Sequence, residues 1–258
     1  MNKPFHRLYR AMKDGPNSGY SDWAYIVDKD YANSPIHYIR AYKVIQDDLI
    51  KLFEYIEPSD VNIKTYSLRV HELLIRTCIE IEANFKAILS ENGYSPRDKN
   101  GKERKEKDWN IYDYMKVLDS HLLDKYRVII PTWDGLQNQI SPYEKWREDN
   151  DLVWYTNYNL CKHDRHKKFY LANFGNLLQA ISGLIVLLTA QFRNEEFTTG
   201  DISLAISGYD YYEGETSIGG YFRIIYPSNL DENDMYDFNW KELVSENDKF
   251  QFYNYNVK

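Results

Sequence analysis

One regularly spaced set of apolar residues constrains the fold of this chain more than any other feature. The residues recur at three- or four-residue intervals, as on one face of a helix. They are Leu171, Phe174, Leu177, Leu178, Ile181, Leu184, Ile185, Leu188 and Phe192. The pattern predicts a buried core helix over about 171–192. Gly175 and Gly183 lie within it, and because each costs about 1 kcal/mol of helix propensity, we expect a neighbour to approach closely there.

Two earlier segments carry the same helical period. Ser34 followed by Pro35 is typical of a helix start, and the apolar pattern that follows continues until Glu57. Asp60 or Asn62 is expected to cap a second helix that runs to about residue 92. This second helix is apolar on two sides, so we expect it to be central in a helical bundle.

A narrow polar stripe separates the two apolar faces of the second helix. Arg69, Glu72, Arg76 and Glu80 form the stripe, and their spacing allows ion pairs between residues four apart. Such a pair contributes only about 0.2–0.5 kcal/mol, so the simplest interpretation is a solvated surface. The alternative is that Glu80 or Glu82 faces the polar cluster described below and holds a cation there.

The segments between these helices and the core helix are shorter. Residues 97–108 carry six basic and four acidic residues and no apolar one, which predicts a solvated loop. The alternative, a basic segment that binds RNA, is disfavoured by its net charge of +2, six positive charges minus four negative ones. Residues 111–123 predict a short helix, and residues 126–133 predict a strand or an extended crossing.

The pattern changes near the C-terminus. Residues 202–206 alternate, residues 221–226 form an apolar run, and residues 250–257 are rich in aromatic side chains. We interpret them as three short strands of an antiparallel sheet. The predicted fold is therefore mainly α: a bundle of about five helices with an irregular N-terminal segment in residues 1–198, and a small β-rich appendage in residues 199–258 packed on the bundle.

Composition limits the classes of partner and compartment. A net charge of −7 excludes a protein that coats nucleic acid through bulk charge, so any such contact needs a local basic patch. Two cysteines, Cys78 and Cys161, are too few for a disulfide framework and favour a reducing compartment. No apolar run has the length of a signal peptide or a membrane span. We expect a cytoplasmic protein with no membrane contact and, lacking any cofactor motif, no cofactor.

A polar cluster directly precedes the core helix. It reads YNLCKHDRHKK over residues 158–168 and gathers four basic residues and two histidines around one aspartate. His163 can exchange a proton near neutral pH. Lys162 or Arg165 can stabilise the charge that develops on a reacting phosphate. On a helix, Asn159 and His163 would lie one turn apart on the same face.

This cluster resembles a motif of the HEPN superfamily of helical bundles. The motif is an arginine, a polar residue that is often asparagine, three variable residues and a histidine, placed just before the last long helix. Asn159 and His163 match it, whereas Tyr158 stands at the arginine position. The resemblance implies metal-independent RNA cleavage, with His163 as general base on a ribose 2′-hydroxyl and Asn159 orienting the histidine or the phosphate. Lys162 and Arg165 would then stabilise the phosphate.

The resemblance also bears on partners. It implies a homodimer whose paired motifs face one cleft, and a role in phage defence or as a growth-arresting toxin, with a protein partner such as an antitoxin. RNA or a nucleotide is the expected ligand. Tyr158, His166, and Glu80 or Glu82 are the further residues expected to line its site.

Other interpretations of the cluster remain open or are disfavoured. It could serve a non-catalytic interaction or nucleotide-sensing module through the same basic pocket, or only hydrogen-bond helix ends inside the bundle. A zinc site at Cys161, His163 and His166 is disfavoured because neighbouring lysines oppose the metal's charge. A Cys161 nucleophile is disfavoured because residues two apart on a helix point about 200° apart, away from His163.

Overall fold

The computed structural model describes residues 3–197 and 213–257. Its helices are α1 Ser18–Ser21, α2 Pro35–Phe53, α3 Leu68–Glu91, α4 Ile111–Tyr114, α5 Val117–Ser120, α6 Trp146–Asp149, α7 Val153–His163, α8 Arg165–Lys168, α9 Phe174–Phe192 and α10 Trp240–Leu243. Its strands are β1 Arg127–Ile129, β2 Gln139–Ile140, β3 Glu215–Thr216 and β4 Arg223–Ile225. The described chain is thus mainly helical with a small antiparallel sheet. A HEPN-like identity remains a prediction.

Helix α9 is the core of the protein, as its apolar period predicts. Sixteen of its nineteen residues are buried, and it packs against α2, α3 and α7. Among the described residues it is the one helix long and apolar enough to cross a membrane, but 83% of that window is buried inside the protein. A Cβ added at Gly183 would lie 3.1 Å from the Tyr143 hydroxyl, so this glycine does permit a close approach.

Helices α2 and α3 are confirmed with small corrections at their ends. Ser34 precedes Pro35 as expected, but its side chain makes no capping hydrogen bond. The cap of α3 is Ser67, whose hydroxyl accepts from the Val70 amide, and the prediction of Asp60 or Asn62 is wrong. The Asp60 carboxylate instead accepts from the Trp133 indole at 2.7 Å and from two loop amides. Several polar residues precede α3, and loop contacts decide which one caps it.

The second apolar face of α3 is only partly covered. The helix contacts α2, α7 and α9, which confirms its central place. Leu68 and Ile79 on its other face are nevertheless 57% and 51% exposed. The polar stripe pairs differently from the predicted i,i+4 pattern, since Arg69 binds Glu72 at 3.2 Å and Arg76 reaches Asp48 on α2.

The sheet has the strand order β2-β1-β4-β3, and all its pairs are antiparallel. The sequence predicted a sheet confined to the C-terminal segment, and this prediction is wrong because two of the strands precede α9. The pairing of Val128 with Ile224 joins the two parts of the chain. Residues 250–257 form no strand and contribute one isolated bridge, between Phe5 and Gln251. The predicted strand at 202–206 and the boundary at 198/199 lie outside the described residues.

The predicted helix at 111–123 divides into α4 and α5. Met115 and Lys116 separate the two, and Tyr114 of α4 and Val117 and Leu118 of α5 lie in the core. Of the expected five bundle helices, the described chain contains four longer than ten residues: α2, α3, α7 and α9. The remaining helices have four residues each, about one turn.

A buried arginine fastens the N-terminal segment to the core. Arg7 has no exposed surface, and its Nε lies 2.7 Å from the Glu91 carboxylate at the end of α3. Its guanidinium also donates to the Gln191 side chain at 2.9 Å and to the Asn33 carbonyl at 2.7 Å. The Gln191 amide in turn donates to the buried Asn84 at 3.0 Å. The irregular N-terminal segment is therefore packed into the bundle.

Substitution of Arg7 tests the importance of this network. We expect Arg7→Met to lower the free energy of unfolding by about 3–5 kcal/mol, because it leaves Glu91 with an uncompensated and mostly buried charge. The control Arg69→Met removes an exposed pair and is expected to cost under about 1 kcal/mol. Urea unfolding followed by circular dichroism measures both. Equal losses in the two variants would show that Arg7 has no special role.

Candidate functional site

Helices α7 and α8 present the polar cluster on the outside of the bundle. Trp154, Tyr155, Tyr158 and Cys161 face the core on α7, at helical spacing. The helix ends at His163, and the Asp164 side chain then caps α8 by accepting from the Lys167 amide at 3.4 Å. This break turns the chain so that the basic residues of both helices face solvent.

Glu82 on α3 meets the cluster through two tyrosines. Its carboxylate accepts from the Tyr155 hydroxyl at 3.0 Å and from the Tyr158 hydroxyl at 3.3 Å. The Lys162 ammonium donates to the Tyr158 hydroxyl at 3.2 Å. Burial, and then the negative charge of Glu82, raise the pKa of both tyrosines. Glu82, Tyr158 and Lys162 therefore form one connected network, with the carboxylate inside and the cation outside.

Glu80 is not part of this network. It lies two residues from Glu82, and positions two apart on a helix point about 200° apart. The charge of Glu80 acts instead on Tyr38 of α2. Burial is the main cause that raises the pKa of Tyr38, the Arg7 charge lowers it, and the charges of Glu91 and then Glu80 raise it further. Burial raises the pKa of Glu80 itself. Of the two carboxylates expected near the cluster, only Glu82 is brought there.

The remaining predicted residues lie on an open surface. Lys162, His163, Arg165, His166 and Lys167 are all exposed, and we call this set the α7–α8 surface. None of them forms an ion pair with any of residues 3–197 or 213–257.

Two details of the α7–α8 surface bear on catalysis. Asn159 is half-buried one turn before His163, yet no hydrogen bond joins their side chains in the described chain. Burial lowers the pKa of the His71 imidazole on α3, and the nearby charge of Arg165 lowers it further. The imidazole of His163 is thus open to water and not held by a protein partner within the described chain.

Cys161 has a structural role. Its thiol is buried and donates to the Lys168 carbonyl at 3.2 Å, and burial raises its pKa. In the described parts of the chain, no group of three His, Cys, Asp or Glu side chains is arranged to hold a metal ion.

The surface and its network can bind charge but do not enclose a small molecule. A cavity of about 140 Å³ lies elsewhere, between the N-terminal segment, the end of α9 and the C-terminal part of the sheet. Arg10, His121, Arg193 and Tyr226 are among its lining residues. Its lining comes from segments far apart in sequence, so no local pattern could have predicted it.

The two arginines that line this cavity are paired within the protein. Arg193 pairs with Asp22 at 2.6 Å, and Arg10 lies 3.6 Å from Asp234. His121 is 2% exposed, and its Nε2 donates to the Arg7 carbonyl at 2.8 Å. Burial lowers the pKa of His121 to about 3, so the imidazole is neutral at pH 7. These contacts describe a packed, charge-balanced region of the fold.

Comparison with protein-family models, with curated proteins and with solved structures finds no match to this chain. The functional argument is therefore carried by the geometry described above.

The buried imidazole predicts a pH dependence of stability. Unfolded His121 takes up a proton near pH 6.5, whereas the folded form does so only near pH 3. The stability that the neutral imidazole contributes is therefore present above pH 6.5 and is lost as the pH falls towards 3. Between pH 7 and pH 5 we expect the wild type to lose about 2 kcal/mol more than His121→Gln.

The measurement is urea unfolding of the two proteins at each pH. Carboxylates titrate in both proteins, so the difference between them isolates the imidazole. Parallel pH profiles would mean that the pKa of His121 is the same in the folded and unfolded protein.

Proposed function

We propose that the α7–α8 surface binds the phosphate backbone of RNA. The observation that carries this proposal is the set of exposed cations, Lys162, Arg165 and Lys167, which form no ion pair within the described chain. Lys102, Lys105 and Lys107 are also unpaired in the described chain, but four acidic residues are interspersed in their loop, whereas residues 158–168 contain a single acid, Asp164. The surface therefore concentrates positive charge that an external anion can neutralise.

A phosphate polymer fits this surface better than a single small anion. The cations are spread over two helices on an open face, whereas small ligands are normally held in concave pockets. Several weak contacts along a strand add up, and each releases counterions from the nucleic acid. The overall charge of −7 does not oppose this, because salt screens charges more than about 8–10 Å away. Of the two interpretations, a binding module receives the stronger support.

RNA cleavage is the second candidate, and the exposed imidazole of His163 favours it. In this step the ribose 2′-oxygen attacks the adjacent phosphorus and its proton passes to His163. The 5′-oxygen leaves and takes a proton from water, which gives a 2′,3′-cyclic phosphate. Tyr158 stands at the arginine position of the HEPN motif, and the Lys162 ammonium lies beside the Tyr158 hydroxyl. RNA is the preferred nucleic acid because DNA lacks the attacking hydroxyl.

The wider expectations of the HEPN resemblance remain proposals of the same kind. They include a homodimer that places two α7–α8 surfaces at one cleft, a protein partner such as an antitoxin, and a role in phage defence. Size-exclusion chromatography with light scattering tests the dimer directly. The cytoplasmic location stays a prediction from composition.

Charge removal tests the binding proposal. We expect the triple variant Lys162→Ala, Arg165→Ala, Lys167→Ala to bind a fluorescently labelled RNA strand at least about tenfold more weakly, since each cation contributes up to about 1 kcal/mol at an exposed site. The slope of log affinity against log salt should fall by about 2, because each phosphate contact to a single strand contributes about 0.7. Fluorescence anisotropy over a salt series measures both quantities.

The matched control is the triple variant Lys102→Ala, Lys105→Ala, Lys107→Ala. It removes the same charge from the exposed loop at residues 97–108, and we expect its affinity to stay within about twofold of wild type. Equal losses in both variants would reduce the effect to bulk charge. A loss in the loop variant alone would move the binding site to that loop.

Substitution of the histidine tests cleavage separately from binding. Purified wild-type protein in EDTA is expected to cut RNA to products ending in 2′,3′-cyclic phosphate, and His163→Ala to remove at least 99% of that activity, in line with the 10²–10⁴-fold contribution of a general base. His37→Ala, an exposed histidine on α2, is the control. Binding without cutting by the wild type would reject the nuclease and leave the binding module.

A further inference from the structure

Exposed aromatic side chains continue the α7–α8 surface beyond its last cation. Phe169 and Tyr170 follow Lys168 directly in the chain, in the 3₁₀ turn Phe169–Leu171. Tyr170 is 52% exposed, and Tyr66, from the loop before α3, is 51% exposed. A tyrosine ring that is half open to water keeps much of its apolar face uncovered. Tyr66 forms a backbone bridge with Asn173, whose side-chain amide donates to the Tyr170 carbonyl at 3.4 Å, so the two tyrosines lie in neighbouring segments.

Ring contacts join Tyr66 and His71 to Phe169, and the charge of Arg165 acts on the same region. The rings of Tyr66 and Phe169 are 5.5 Å apart and nearly perpendicular, and the rings of His71 and Phe169 are 5.7 Å apart. Arg165 acts electrostatically on the same His71. Phe169 thus contacts both Tyr66 and His71 and lies two residues after Lys167 in the chain, so these aromatic side chains adjoin the α7–α8 surface.

The backbone holds the Tyr66 segment in place. Tyr66 forms an antiparallel bridge with Asn173, the cap of α9. The Phe174 amide donates to the Thr65 carbonyl at 2.8 Å, and the Gly175 amide donates to the Ile63 carbonyl at 2.8 Å. The loop is therefore fastened to the start of the core helix. A ring held in this way loses little conformational freedom when a ligand covers it.

From this arrangement we infer that Tyr66 and Tyr170 are stacking sites for unpaired bases, so that the α7–α8 surface selects single-stranded over double-stranded RNA. A cationic track beside exposed aromatic rings is the combination that takes single strands, because every base has a flat face to stack and the phosphates follow the cations. In a duplex the base faces are covered by their neighbours, and only the phosphates remain accessible. The inference rests on the proposed RNA-binding function and adds the class of strand.

Stacking and phosphate contacts contribute to affinity in different ways. Loss of one stacked base typically weakens binding about fivefold to 150-fold, whichever base it is. Loss of a phosphate contact instead weakens single strands and duplexes alike and lowers the salt dependence. The two contributions can therefore be separated in one set of titrations.

The experiment compares wild type with the double variant Tyr66→Ala, Tyr170→Ala. The probes are a labelled twelve-nucleotide oligouridine, the same strand with abasic ribose at every position, and a twelve-base-pair RNA duplex. We expect the double variant to bind oligouridine at least about fivefold more weakly, with duplex affinity unchanged within about twofold. The abasic strand should bind wild type and variant equally, because it offers phosphates without bases. Circular dichroism melting confirms that the variant is folded.

The matched control is the double variant Tyr55→Ala, Tyr112→Ala, which removes two tyrosines that are 84% and 69% exposed and that take no part in the ring contacts of Tyr66 and Phe169. It should bind all three probes as wild type does. The milder variant Tyr66→Leu, Tyr170→Leu keeps apolar area without a π-face, and it serves if the alanine variant unfolds.

The outcomes separate this inference from the function on which it rests. Equal binding of oligouridine, abasic strand and duplex by wild type, with no effect of the tyrosine substitutions, overturns the stacking inference and leaves phosphate binding intact. No binding of any of the three probes by wild type overturns the proposed function, and the stacking inference with it.

Discussion

The fold depends on the burial of one positive charge, the guanidinium of Arg7. A guanidinium with no access to water is stable only when a carboxylate and several hydrogen-bond acceptors surround it, because an unpaired buried charge costs several kcal/mol. Arg7 obtains these partners from three separate parts of the chain: Glu91, Gln191 and Asn33. The requirement therefore positions the N-terminal segment, the end of α3 and the end of α9 together.

The two ends of α9 are accordingly different. Its C-terminal end lies in a closed polar network, in which Tyr31 donates to the Gln191 carbonyl at 2.5 Å and the neighbouring polar side chains are buried. Its N-terminal end, about 27 Å away by the rise of 1.5 Å per residue, adjoins exposed cations that no carboxylate of the described residues neutralises. Charge at the first end is used to hold the fold, and charge at the second remains available to a ligand.

The sequence predicts the parts of this structure that follow from local period. Helix α9 was predictable because a full apolar face recurs over five turns, whereas the approach of Glu82 to the cluster was only one of the alternatives that the sequence left open. The burial of Arg7 was not predictable, since one arginine in an irregular segment carries no periodic signal. The exclusion of Glu80 from the site and the capping of α3 by Ser67 depend on tertiary contacts, which a single sequence does not show. Tyr66 was missed because it lies about a hundred residues from the cations it adjoins.

The pairing of strands that are far apart in the chain has a consequence for folding during synthesis. β1 pairs with β4 through Val128 and Ile224, about a hundred residues apart in the chain. During synthesis, β1 emerges with only β2 available on one edge, and its other edge stays without hydrogen bonds until the ribosome has passed residue 225. Such long-range pairing slows folding, because a large loop must close before the contact forms. Completion of the sheet is thus postponed until after the four long helices, α2, α3, α7 and α9, have been synthesised.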